Sequence, residues 1–139
     1  MSEVIKTTEI GQYLYAQNEK FFDGEDIATA STFTSSAVRF HQTLGNVEAK
    51  IVAGADFTLL DTETITVNAT VSSTEGGSYA QEAQIGLITA SGDTAISKGD
   101  VLGSYIRPAE ITGEYYAKFT IVTSGAQTGA TADGYIVEV

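Results

Sequence analysis

Apolar and polar residues alternate most strictly along Thr64-Ile65-Thr66-Val67-Asn68-Ala69-Thr70-Val71, where Ile65, Val67, Ala69 and Val71 share one face. A period of two belongs to a half-buried strand, because successive side chains of extended backbone point to opposite sides. Shorter runs rich in β-branched and aromatic residues predict further strands at 38–44, 49–52, 85–89, 101–106, 115–123 and 135–139. Residues 47–52 and 56–60 are expected to pair into a longer, irregular edge. The breaks between runs hold residues tolerant of positive φ, at Leu44-Gly45-Asn46, Glu75-Gly76-Gly77-Ser78, Ser91-Gly92-Asp93, Lys98-Gly99-Asp100 and Thr112-Gly113-Glu114. About seven or eight short strands with such turns predict an all-β chain, a jelly roll or β-sandwich. No repeat of roughly 20–50 residues is present, which weighs against a propeller or solenoid. Gly86 and Gly103 fall inside strand patterns, where glycine marks a bulge or a close backbone approach.

Residues 1–36 break the pattern. Glu3, Glu9, Glu19, Asp23, Glu25 and Asp26 are mixed with Tyr13, Tyr15, Phe21 and Phe22, and a small-residue tract, Ala28-Thr29-Ala30-Ser31-Thr32, follows. This stretch is read as an extended arm, part of it a short helix or an edge strand, ahead of a β domain at 37–139. So much aromatic area must be buried somewhere, either on the parent core or on a neighbouring subunit. Tyr13, Leu14, Tyr15, Phe21 and Phe22 are therefore candidate partner contacts. Tyr116 joins them: in the 115–122 run Tyr115, Ala117, Phe119 and Ile121 lie opposite Tyr116 and Val122, so both faces are apolar and a second subunit would cover one.

Charge and composition then narrow the functions. The chain has 139 residues, enough for one domain with its own core, and no cysteine, so no disulfide, thiolate nucleophile or cysteine metal site. Its 18 acidic residues against 7 basic ones give a net charge of -11. The cations are scattered, which argues against nucleic acid and against a membrane surface as partners. No run reaches the roughly 20 apolar residues of a spanning helix, and Met1-Ser2-Glu3-Val4-Ile5-Lys6 lacks a signal-peptide plan, so synthesis in the cytoplasm is expected.

No reacting constellation emerges. His41 alternates onto the polar side of its strand with no nucleophile or orienting carboxylate indicated by spacing. Asp56, Asp61 and Glu63, and Glu110 and Glu114, are candidates for a calcium loop or an acid-base pair, but Asp61-Thr62-Glu63-Thr64-Ile65 runs straight into a strand. The glycines match neither a dinucleotide fingerprint nor a P-loop. The expectation is a non-enzymatic chain without metal or cofactor.

Three stretches carry a family resemblance. Phe21-Phe22-Asp23-Gly24 precedes the small-residue tract, and the strand at 64–73 runs into a glycine-serine loop. The third is Gly103-Ser104-Tyr105-Ile106-Arg107-Pro108, followed by Gly113-Glu114-Tyr115-Tyr116-Ala117-Lys118-Phe119, Ala126-Gln127-Thr128-Gly129-Ala130 and a last strand ending at Val139. In this layout the chain resembles the small capsid cement, or head decoration, proteins of tailed bacteriophages. The resemblance implies a jelly roll, often trimeric, on the outer face of the virion capsid. There it would bridge major capsid protein subunits and stabilise them. The rival expectation is a carbohydrate- or receptor-binding module of a phage tail or spike, which would need an exposed tyrosine or phenylalanine platform.

Overall fold

In the computed structural model, which describes residues 20–40, 47–106 and 115–138, the extended-chain patterns become strands in chain order: β1 (Lys20–Asp26), β2 (Thr32–Thr34), β3 (Val38–Phe40), β4 (Val47–Ala53), β5 (Phe57–Leu59), β6 (Thr64–Ser72), β7 (Ala80–Thr89), β8 (Thr94–Ile96), β9 (Val101–Ile106), β10 (Tyr115–Thr123) and β11 (Thr131–Glu138). The alternating segment is β6, with Ile65, Val67 and Ala69 wholly buried and the intervening positions half-exposed.

All pairs are antiparallel, and they nest. β6 pairs with β7, β5 with β8, β4 with β9, β2 and β3 with β10, and β1 with β11, so each pair encloses the one before it along the chain. The described chain is thus one long hairpin, turned at Glu75-Gly76-Gly77-Ser78. Two further pairings, β11 with β4 and β10 with β6, roll that hairpin into sheets of order β1-β11-β4-β9 and β2-β10-β6-β7, with β3 continuing β2 along β10. β5 and β8 form a separate two-stranded ribbon. With β2 and β3 counted as one interrupted strand and the ribbon set aside, this is an eight-stranded jelly roll.

The facing sides of the two sheets fill the core. Ala49, Ile51, Leu102 and Ala132 of one sheet meet Ile65, Val67, Ala117, Phe119 and Ile121 of the other. A chain of rings crosses between them. Phe21 lies 4.8 Å from Phe119 and 5.8 Å from Phe22, Tyr105 lies 5.8 Å from Phe119, and Phe40 meets Tyr105 edge-on at 5.7 Å. Such pairs contribute about 0.5–1.5 kcal/mol each beyond the area they bury.

This arrangement corrects two expectations. Residues 47–52 do not pair with 56–60: β4 lies between β11 and β9, while β5 pairs with β8. Residues 20–36 are built into the sheets. The edge-strand alternative holds for β1, and the candidate partner contacts Phe21 and Phe22 are 8% and 1% exposed in the chain's own core. Two adjacent side chains point inward because the β1–β11 register shifts between Lys20 and Phe22, leaving Phe21 as the extra residue of a bulge. Gly134 on β11 makes the space, since a Cβ there would strike the Phe21 ring.

The small-residue tract is held by hydrogen bonds where it lacks bulk to pack. The Ser31 and Phe119 amides donate to Thr123 Oγ1 and Ser35 Oγ at 3.1 and 2.9 Å, and the Ser35 amide donates to the Phe119 carbonyl at 2.9 Å. Gly86 marks the close approach expected of a strand glycine: a Cβ there would land on the Leu102 carbonyl oxygen, so β7 and β9 touch backbone to backbone where the two sheets meet at a corner.

Candidate functional site

The two sheets differ in charge. β1, β4 and β11 bring Asp23, Glu25, Asp26, Glu48 and Asp133 to their sheet, whereas β2, β3, β6 and β10 contain no Asp or Glu and Glu82 of β7 is the acidic residue of theirs. With Ile65, Val67 and Ala69 turned inward on β6, and Ala117, Phe119 and Ile121 on β10, the outer face of that second sheet is made of their neighbours. Cross-strand rows run Ser72–Tyr116, Thr70–Lys118, Asn68–Thr120–Thr34 and Thr66–Val122–Thr32. The result is a broad face of short polar side chains on a strongly acidic chain.

Tyr116 sits on this face, half-buried, one row from Lys118. The Lys118 ammonium stands 4.6 Å from the centre of the Tyr79 ring, whose hydroxyl donates to the Glu75 carbonyl at 2.7 Å. Desolvation, then the charges of Glu75 and Tyr116, raise the pKa of the Tyr79 hydroxyl above its ordinary value. The Thr70 hydroxyl donates to the Lys118 carbonyl at 3.0 Å, tying β6 to β10 beneath the pair.

Of the carboxylates that suggested a calcium loop, Asp56, Asp61 and Glu63 serve the turns, and Glu110 and Glu114 fall outside the described residues. Asp61 accepts from the Gly92 amide at 2.8 Å, and Asp93 accepts from the Asp61 amide at 3.0 Å, so the two loops brace each other. Asp56 accepts from the Lys98 amide at 2.7 Å and Asp100 from the Ser97 amide at 2.9 Å. Glu63 accepts from the Ser124 hydroxyl at 3.2 Å. Short acidic side chains are favoured in turns for this reason, since they satisfy amides that no ladder reaches. Among the described residues no group of three or more His, Cys, Asp or Glu is placed to hold a metal ion.

One cleft of about 260 Å³ lies between the β5 segment and the 124–130 loop, lined by Phe57, Thr58, Leu60, Ala126, Gln127 and Thr128. Gln127, 1% exposed, donates from Nε2 to the Ile27 carbonyl at 2.6 Å, while its Oε1 has no partner among the described residues. A buried side chain so placed favours a neutral donor. In Gln127→Glu the carboxyl would serve as a donor only when protonated, so burial raises its pKa above the unfolded value of about 4.3. The native state then binds more protons than the unfolded one, and stability falls as pH rises through that window. Urea melts of the variant and the parent at pH 4 and pH 7 check this. The variant is expected to lose about 1–3 kcal/mol relative to the parent at the higher pH, and equal losses at both would refute it.

Of the candidate contacts, Tyr116 lies on an outer face and Phe21 and Phe22 lie inside. Tyr13, Leu14 and Tyr15 fall outside the described residues, as does His41. Sequence reasoning missed the composition of the β2, β3, β6 and β10 face, although the missing acidic residues are legible once those strands are known to be neighbours. No family model, characterised protein or solved structure matches the chain.

Proposed function

We propose that this chain is a structural, non-enzymatic protein that decorates the outer face of a phage capsid. As a homotrimer it bridges neighbouring major capsid protein subunits. The observation that carries this reading is the acid-free outer face formed by β2, β10 and β6 on a chain of net charge -11. Seating that face on a larger protein surface desolvates few charges, so the cost of docking is small, while the acidic sheet stays in water. Threonine and asparagine rows supply hydrogen bonds, and Tyr116 supplies the amphipathic anchor common at interface centres. A lattice with many equivalent sites makes modest single contacts sufficient through avidity.

The carbohydrate-module alternative needs an open aromatic platform, and Lys118 covers one side of Tyr79. The jelly-roll layout and the resemblance of residues 103–139 to cement proteins favour the capsid instead.

The test is co-sedimentation with phage heads assembled without the chain. Native protein is expected to pellet with the heads and to saturate. Asn68→Glu with Tyr116→Ala should reduce binding at least tenfold while leaving the melting curve in place. A native protein that stays in the supernatant would contradict the proposal, and a soluble oligosaccharide that binds saturably to the same face would favour the rival module.

A further inference from the structure

The exposed large apolar side chains are not spread over the surface. Among the described residues they are Leu60, Leu87, Val101 and Ile106, and the last three, each more than half exposed, belong to β7 and β9. β7 is the terminal strand of one sheet and β9 of the other, and Gly86 brings the two together against the Leu102 and Gly103 backbone. One corner of the jelly roll therefore gathers two sheet edges and, among the described residues, most of the exposed apolar bulk.

Charge sets this corner apart again. Glu82 is the one charged residue of β7, Ala80–Thr89, and β9, Val101–Ile106, has none. Terminal strands of proteins that stay monomeric carry lysine, proline or other blocking residues, because an unpaired edge is a template for another strand. Neither strand carries lysine, arginine or proline. Depletion of charge with exposed aliphatic side chains is the composition of interfaces between identical subunits, while transient contacts with other proteins keep the polarity of ordinary surface. With Glu82 on β7 and Glu48 opposite Ile106 as its nearby acids, it is also a strip on which two copies, each at -11, meet with little like-charge repulsion.

We infer that the β7–β9 corner is the contact between copies of this chain, with Leu87, Val101 and Ile106 as its apolar centre. This deepens the proposed reading, on whose oligomer it rests, by naming the strands that make that oligomer. The corner borders the acid-free face, since Leu87 is the cross-strand partner of Thr66, so copies meet along one margin of that face and the rest of it is left for the lattice.

The test is solution mass by light scattering across a hundredfold range of concentration, without phage heads. The native chain is expected to run as a trimer. Leu87→Glu combined with Ile106→Glu should run as a monomer, and Leu60→Glu, which alters an exposed leucine outside β7 and β9, should remain trimeric. These positions face solvent, so the monomeric variant should keep the native far-UV spectrum. Hydrogen exchange on the unaltered protein gives a second reading, with the β7 and β9 amides slowing as concentration rises. A native monomer at every concentration would overturn the inference, as would corner variants that keep the trimer mass or edge amides that exchange equally fast throughout. A native monomer that still pellets with heads would sink this inference and the trimer but leave docking on the capsid standing; a corner-built trimer that ignores heads would sink the capsid reading and leave the interface standing.

Discussion

Phe119→Ala is expected to remove about 3–5 kcal/mol of stability, the cost of deleting a fully buried ring and leaving a cavity behind. Phe119 is wholly buried on β10 and stands between Phe21 of β1 and Tyr105 of β9, so its ring is the crossing point of the column that joins the two sheets. Domains of this size hold about 5–15 kcal/mol in total, so the variant should lose a large share of its stability. Urea titration followed by circular dichroism would show the midpoint falling with the slope unchanged. A loss of only about 1 kcal/mol, well below the usual cost of such a deletion, would mean that the rings do not form the central contact.

Gly86→Ala is the second large effect, expected at about 1–3 kcal/mol or more because overpacking forces backbone to move. The added methyl group would meet the Leu102 carbonyl oxygen, a main-chain atom, and cannot be accommodated by turning a flexible side chain. The two sheets would have to part at the corner. Gly76→Ala, in the turn between β6 and β7 with nothing within 4 Å, is the matched control and should change stability by less than about 0.5 kcal/mol. If the corner also joins subunits, Gly86→Ala should weaken the oligomer as well as the fold. Comparable melting temperatures for the two variants would contradict the close approach.

These two positions show how far the sequence can be read and where it stops. β6, β9 and β10 are legible because each keeps its alternation or its β-branched and aromatic character over its whole length, and Gly86 stands out as a glycine inside a strand. The partner that makes Gly86 necessary, the Leu102 backbone, is distant in sequence and belongs to the other sheet. β1 is hidden for a similar reason. Phe21 and Phe22 are adjacent, so they break the period of two, and only the bulge opposite Gly134 turns both inward. Residues 28–36 have little apolar pattern at all; Ser35 and Thr123 hold them through bonds between segments far apart in the chain. The pairing of β5 with β8 follows from the nesting of the whole hairpin, which no local pattern encodes.

The candidate surfaces are less legible than the fold. Tyr116 is singled out by two-faced apolarity in its strand, and it does lie on an outer face. The acid-free character of that face is a property of strands brought together from separate parts of the chain. The apolar corner is likewise made by β7 and β9, which the sequence separates by β8 and its turns. In both cases the residues are ordinary strand formers, and their meaning comes from their neighbours in space.

The most direct test of the capsid reading is the temperature at which phage heads assembled without the chain rupture, followed by dye entry to the packaged DNA, with and without saturating protein. Bridging contacts that favour the intact lattice must raise that temperature by mass action, so it should climb with protein concentration and level off at saturation. The Asn68→Glu, Tyr116→Ala variant should leave it where bare heads rupture. Heads that rupture at the same temperature at every concentration of the native chain would contradict the account.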